Sequence, residues 1–465
     1  MKAEEWDFEK VLQDAITAAG AAPVSKEQCP DAKWWEKLCA ACAVKTCSPT
    51  GSRLLRDKVV HSLGQRLAID EVYKTNESVV EHQRVSDTMM VVGIPRSTGH
   101  MAATLIARTG VAKSWATHDV WTPSVMNEFS RKARYKKEFS GFHSDFPNFC
   151  VVGPVAPAKV ACDLMIHLHI PYSFAWGLLH GLDEFLYECL QEPQDAVYTH
   201  VAKVMRVFEW YRLNGDFYGG EERLVKATDN PILASKYGIR DEFERTPFVI
   251  HSPFAILHMD ALHRAFPDMR VIWTHRALNA CIGSLCSALA HHDFLYTNRR
   301  PTDTQLAAIG EKIVGMFGSG TELAVDYMAN FSRSKSVHWL DRDVRRHGVR
   351  LMKKTFDKFD LNLDRYRYIQ AADAQTEMND EQRPLHDAPS RYFAVSDSLI
   401  REHFDAYVYQ FPDFVYEKRY GIMLDSPEQL THTSAIPMRE GQSGRIVPMG
   451  KEPPGHMLEG TSSDR

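Results

Sequence analysis

Two short stretches concentrate side chains suited to holding an anion. In Gly93-Ile94-Pro95-Arg96-Ser97-Thr98-Gly99-His100, one guanidinium and two hydroxyls stand within three residues. A guanidinium donates a fixed fork of N–H groups to phosphate oxygens, and hydroxyls add neutral donors. Arg96 can also stabilise negative charge that develops on a bridging oxygen. The second stretch, His275-Arg276-Ala277-Leu278-Asn279-Ala280-Cys281-Ile282-Gly283-Ser284, sets Ser284 eight residues after Arg276. Two histidines accompany these groups. His100 closes the first loop, and His251 ends an apolar run. Imidazole titrates near neutrality, so either ring could move a proton or touch an anion. For His251 the plainer reading is a strand-end histidine with one structural hydrogen bond.

Other groups make weaker cases. Cys39, Cys42 and Cys47 form the one cysteine cluster, with Cys29 as a possible fourth zinc ligand, but the spacing matches zinc sites poorly. Leu38–Val44 reads instead as a buried helix face on which cysteine acts as a small hydrophobe. His167 and His169 alternate without an evident third ligand, so no metal is expected there. His143 and Asp145 lie in a polar loop that could face a cleft. The aromatic residues from Tyr172 to Tyr187 suit an acceptor pocket or, more simply, core.

The elements that must position these side chains are legible. Thr88–Val92 is a short apolar run that predicts a strand. The Gly/Ser/Thr loop follows, and Met101–Arg108 has helical character. Strand, loop and helix over 88–109 make a phosphate cradle, because a helix N-terminus presents unpaired N–H groups and partial positive charge. The loop is not a Walker A motif: it lacks G-x-x-x-x-G-K-[ST], so nothing predicts ATP or GTP hydrolysis. Pro247–His251 and Arg270–His275 predict two buried strands with a helix, Ala255–Phe266, between them. That βαβ unit implies parallel strands. Ser336–Leu340 predicts a fourth strand and Val344–Phe359 a helix. Ahead of the sheet, Trp6–Ala19, Trp34–Ala43 and Ser52–Leu67 show helical spacing, with Pro49-Thr50-Gly51 as punctuation. Residues 116–230 read as mostly helical. The expected organisation is a helical region over 1–85, an α/β domain over 86–425 with helical insertions, and a loop-rich tail over 426–465.

Composition narrows the function classes. The chain has 465 residues, 44% hydrophobic and 25% charged, enough for a large core. Its net charge of −5 carries no basic stripe, which argues against a nucleic-acid partner. No run approaches the roughly 18 apolar residues of a membrane span. The polar, acidic start is unlike a secretory signal. Nine cysteines, an odd number, suit free thiols in a reducing, cytoplasmic setting.

Taken together, the two anion-binding stretches resemble the sulfotransferases that use 3′-phosphoadenosine 5′-phosphosulfate. In that family a G-x-P-[RK]-[ST]-G-T-T loop holds the 5′-phosphosulfate. An arginine at a strand end, with a serine eight residues on, holds the 3′-phosphate. The segment His251-Ser252-Pro253-Phe254-Ala255-Ile256-Leu257-His258-Met259-Asp260-Ala261-Leu262 is similar to the K-S-P-x-x-L-x-x-L-D-A-L segment of the branch found in bacteria and some eukaryotes. Phe266-Pro267-Asp268 precedes the strand as it does there, and Phe356–Leu361 fits as well. The likeness runs over roughly residues 5–425.

The resemblance implies a P-loop-like parallel sheet and a metal-free transferase that moves a sulfuryl group to a hydroxyl or amine of a small molecule. It implies a donor site of Arg96, Ser97, Thr98, Gly99, His100, Arg276 and Ser284, with Arg96 and His251 as the catalytic pair. A homodimer is among the assemblies the sequence allows. Three departures bear on the chemistry. The loop glycine is displaced by one position, so Thr98 stands where a glycine conformation would be needed. His251 replaces the lysine of K-S-P, as either a base or a proton-bearing substitute. Ala277-Leu278 replaces the Asp-Pro that usually follows the arginine. Two other readings stay open on these grounds: a different enzyme on this fold, and a non-catalytic nucleotide-binding or scaffold protein.

Overall fold

The computed structural model describes residues 3–81, 83, 85, 87–140, 159–213, 246–381 and 388–412. His143, Asp145, residues 214–230 and the tail over 426–465 lie outside them. Four short strands form one parallel sheet: β1 (Met89–Val92), β2 (Val249–His251), β3 (Arg270–His275) and β4 (Ser336–Leu340), in the order β2-β1-β3-β4. The strand that runs into the 93–100 loop is therefore internal. Met89 pairs with Val249 on one side and Arg270 on the other, and Val271 pairs with Ser336.

Successive strand residues point to opposite faces, and the sheet uses both. Met90, Val92, Ile250, Val271 and Trp273 join the larger apolar core. Met89, Val91, Val249, Ile272 and Trp339 join a second core on the other face. A parallel sheet buried on both sides explains why its strands read as continuous apolar runs rather than alternations.

Helices α1 (Phe8–Ala19), α2 (Ala32–Val44) and α3 (Pro49–Thr75) contribute to the larger core. α4 (Gly99–Arg108) covers the second face. Beyond it come α5 (Met259–Ala265), α6 (Leu278–Thr297), α7 (Asp303–Ala329) and α8 (Asp341–Lys358). Among the described residues, no helix is long and apolar enough to cross a membrane.

Two element boundaries differ from the sequence reading. Pro49-Thr50-Gly51 is not a break but the first turn of α3, which runs to Thr75. Ser48 caps it, its Oγ accepting from the Gly51 N–H at 3.0 Å, and a proline in the first turn forgoes a donor the helix would leave unpaired. The helix expected over 255–266 is split into a 3₁₀ turn, Ala255–Leu257, and α5. His258, at φ −149° and ψ 50°, is the joint. Cys39 and Cys42 are buried on α2, and burial pushes the Cys39 thiol up to about 12.

Candidate functional site

The carboxyl ends of the four strands deliver the chemistry to one edge, where ligands of open parallel sheets bind. β1 runs into the Gly93 loop, β2 ends at His251, β3 is followed by Arg276, and β4 by Asp341.

The loop leaves β1 through Gly93 at φ 149°. A Cβ there would stand 2.5 Å from the Thr274 carbonyl oxygen and 2.7 Å from Ser97 Oγ. Two non-glycine residues then take left-handed backbone: Arg96 at φ 78° and Thr98 at φ 77°. Such a conformation costs an L-residue roughly 1–2 kcal/mol, and for β-branched Thr98 it is a true outlier. The strain anticipated at Thr98 is therefore present.

The surrounding contacts hold the loop in place. Ser97 Oγ donates to Thr274 Oγ1 at 2.8 Å, and Thr274 Oγ1 donates to the Val92 carbonyl at 3.1 Å. Thr98 Oγ1 donates to the Asp341 carboxylate, which also accepts from Arg345 Nε at 3.0 Å. Both loop hydroxyls are thus engaged within the protein, and Thr98 places no side-chain cap on α4. What the loop turns outward is the N-terminus of α4 and the exposed guanidinium of Arg96.

Arg96 joins the two stretches singled out in the sequence. Its Nε donates to Ser284 Oγ at 2.9 Å, and Arg276 Nη1 donates to the Arg96 carbonyl at 3.2 Å. Ser284 lies within α6, whose N-cap is Ala277, so it acts from inside the helix rather than as its cap. Burial, and then the positive charge of Arg276, push the Arg96 guanidinium down from its ordinary value. Two cations held this close suit an anion bearing more than one negative charge.

His251 and Gly99 fit together. A Cβ on Gly99 would fall 2.6 Å from His251 Nε2 and 2.8 Å from its Cδ2. The imidazole occupies the space above the first residue of α4, which accounts for a glycine at 99. Burial, reinforced by His100, pushes His251 down to about 3, so the ring is neutral at pH 7. The His100 and His251 ring centroids are 6.4 Å apart.

Three site-shaping residues escaped the sequence reading: Thr274, Asp341 and Asp163. Asp163 N–H donates to the His251 carbonyl at 3.1 Å, and its buried carboxylate accepts from Ser252 Oγ. His167 Nε2 lies 3.2 Å from the same carboxylate, and His169 Nδ1 is 3.1 Å from His200 Nε2. Asp341 had one signal, its place directly after a strand; Asp163 had none. Among the described residues, no group of three or more His, Cys, Asp or Glu is placed to hold a metal ion. Of the aromatic stretch, Phe174, Trp176 and Phe185 are core, Tyr172 is half-buried and Tyr187 exposed.

No curated protein matches the chain in sequence. Its fold is that of two mycobacterial sulfotransferases. The Mycobacterium avium enzyme superposes with a TM-score of 0.68 at 14% identity, covering 86% of this chain and 95% of that one. The Mycobacterium tuberculosis H37Rv enzyme gives 0.65 at 14% identity, covering 85% and 97%. The model of the sulfotransferase family matches residues 60–313, more than half of the sequence. With that match and a four-stranded parallel sheet, this chain belongs to the sulfotransferase family and is a transferase.

Proposed function

We propose that the chain transfers a sulfuryl group from 3′-phosphoadenosine 5′-phosphosulfate to a hydroxyl or amine of a small-molecule acceptor. One observation carries the reading: Arg96 is bonded to Ser284 and is itself approached by Arg276. The loop suited to the phosphosulfate and the pair suited to the 3′-phosphate are thus neighbours, which supports one ligand with anionic groups at both ends.

In this reading the donor phosphosulfate lies over the loop, at the N-terminus of α4 and beside Arg96, His100 and His251. The acceptor oxygen or nitrogen attacks sulfur in line. The bond from sulfur to the bridging oxygen breaks, and its electron pair leaves on the nucleotide phosphate, where Arg96 stabilises it. His251 takes the acceptor proton. Its neutral ring keeps a lone pair available, and the donor's negative charge beside it favours the imidazolium that forms. Catalysis is then mostly positioning and charge stabilisation, as in phosphoryl transfer. Ser97 and Thr98 serve by fixing the loop. The free cysteines among the described residues fit a reducing, cytoplasmic setting.

The test is transfer of labelled sulfate from the donor to a panel of phenols, alcohols and amines. Label on any acceptor supports the reading. Tight donor binding with no transfer across the panel would point to a scaffold instead.

The Gly99–His251 fit makes a separate prediction. Gly99→Ala should weaken donor binding and cost about tenfold or more in kcat/KM, because the new methyl displaces the His251 ring. Adding His251→Ala should restore donor affinity but not turnover. Donor affinity that stays low in the double variant would show that the two positions are not sterically coupled.

A further inference from the structure

Lys58 and His61 stand three residues apart on α3, hence on one face, and both rest on Trp121. Lys58 Nζ is 4.1 Å from the centroid of the indole ring. The His61 ring stacks on it at 4.3 Å and 21°, and His61 Nε2 is 2.6 Å from the Trp121 carbonyl oxygen. The indole N–H donates to the Glu138 carboxylate.

The surroundings of the amine are unusual. Its one hydrogen-bond partner among the described residues is Met165 Sδ at 3.7 Å, a weak acceptor. No ion pair joins it to a carboxylate among those residues, Glu138 included. A half-buried ammonium held by a thioether and a ring face has given up water without gaining an anion. Burial pushes Lys58 down to about 7, with Glu138 opposing. Burial also pushes its neighbour His61 down to about 4.

The place of this amine ties it to the transfer site. Cys162 bridges to His251 at the end of β2, and the Asp163 N–H bonds the His251 carbonyl. Met165, three residues beyond Cys162, is the residue that touches Lys58. Three residues span at most about 10 Å. The same short segment, Cys162–Met165, therefore borders both His251 and Lys58.

We propose that Lys58, with His61 and Trp121, forms an acceptor-recognition subsite for an anionic group, a carboxylate or sulfate, carried by the acceptor away from the hydroxyl or amine that is modified. This rests on the sulfuryl-transfer reading above. The incoming anion supplies the anionic partner that Lys58 does not have among the described residues, through a charge-assisted hydrogen bond. Proton uptake by Lys58 accompanies it. The charged and titratable groups acting here are His61 from α3, Arg134 and Glu138 from the helix Glu128–Glu138, and His169, His180 and His292 from the other packed segments. Burial holds these histidines neutral at pH 7, and the Glu138 carboxylate, raised by burial, is held by the Trp121 indole N–H rather than by Lys58.

The test uses 3-(4-hydroxyphenyl)propanoate and its amide, titrated by calorimetry into the protein saturated with 3′-phosphoadenosine 5′-phosphate. The acid should bind at least about tenfold tighter than the amide at pH 6.5, with the preference shrinking towards pH 8.5. Lys58→Met should level the two probes while leaving nucleotide affinity unchanged, which also shows that the variant folds. Lys58→Arg should keep the preference and lose its pH dependence, since guanidinium does not titrate there. Equal binding of acid and amide by the parent, or no binding of the acid at millimolar concentration, would overturn the proposal. Failure of the nucleotide to bind would instead count against the donor reading.

Discussion

Arg96→Ala should lower kcat by about 10²–10³-fold while changing the melting temperature little. The magnitude is that of removing one preorganised donor aimed at a developing negative charge. The small stability effect follows from the position of the side chain. It is exposed at the mouth of the site, and the acceptor of its bond to Ser284 is a neutral hydroxyl. Truncation also removes a left-handed residue with a long side chain, and alanine at φ 78° carries the same backbone cost. The loss should appear in kcat more than in KM, because Arg96 acts on charge that grows as the bridging oxygen departs. A loss confined to KM would mean that Arg96 only binds the ground-state donor. Single-turnover measurements with labelled donor separate the two.

The second large effect is on stability. Thermal unfolding should move steeply to lower temperature as the pH falls below about 6.5. His251 is pushed down to about 3, and His61, His258, His292 and His338 to about 4, in each case chiefly by burial. Each ring is neutral in the fold but takes a proton in the unfolded chain below its ordinary value. The unfolded state therefore binds more protons between about pH 4 and 6.5, so stability is full above that window and falls through it. One such group contributes up to about 1.4 kcal/mol per pH unit, and several acting together approach the whole stability of an ordinary domain. His169, His180, His200 and His275, also pushed well down by burial, act in the same direction. Unfolding near pH 5 is the expected outcome in calorimetry at constant ionic strength. A melting temperature that holds from pH 7 to pH 5 would show that these rings are not buried neutral.

What the sequence revealed, and what it hid, follows from the range of each interaction. All four strands were legible because burial on both faces makes them continuous apolar runs between turn residues. The 93–100 loop was legible as a strand-to-helix turn because its glycine, proline and hydroxyl residues are local. The spacing of Arg276 and Ser284 was legible too. Their union with Arg96 was not, since that bond joins positions 188 residues apart. The same limit hid Asp341, which reaches Thr98 across 243 residues. The displaced glycine could be seen in the sequence, but its reason, the His251 ring lying against Gly99, needed the packing of β2 beside β1. α6 was given no bounds from the sequence, for another cause. Its buried residues ring the helix, so no amphipathic stripe marks it. Pro49 misled because a proline that usually ends helices here begins one.

The central claim is that the loop at 93–100 and the Arg276–Ser284 pair bind the two ends of one nucleotide. Equilibrium binding of 3′-phosphoadenosine 5′-phosphate beside adenosine 5′-phosphate tests it most directly. The doubly phosphorylated nucleotide should bind at least about tenfold tighter, the worth of one charge-assisted contact, and Arg276→Ala should abolish that advantage. Equal affinities for the two nucleotides in the parent protein would contradict the account.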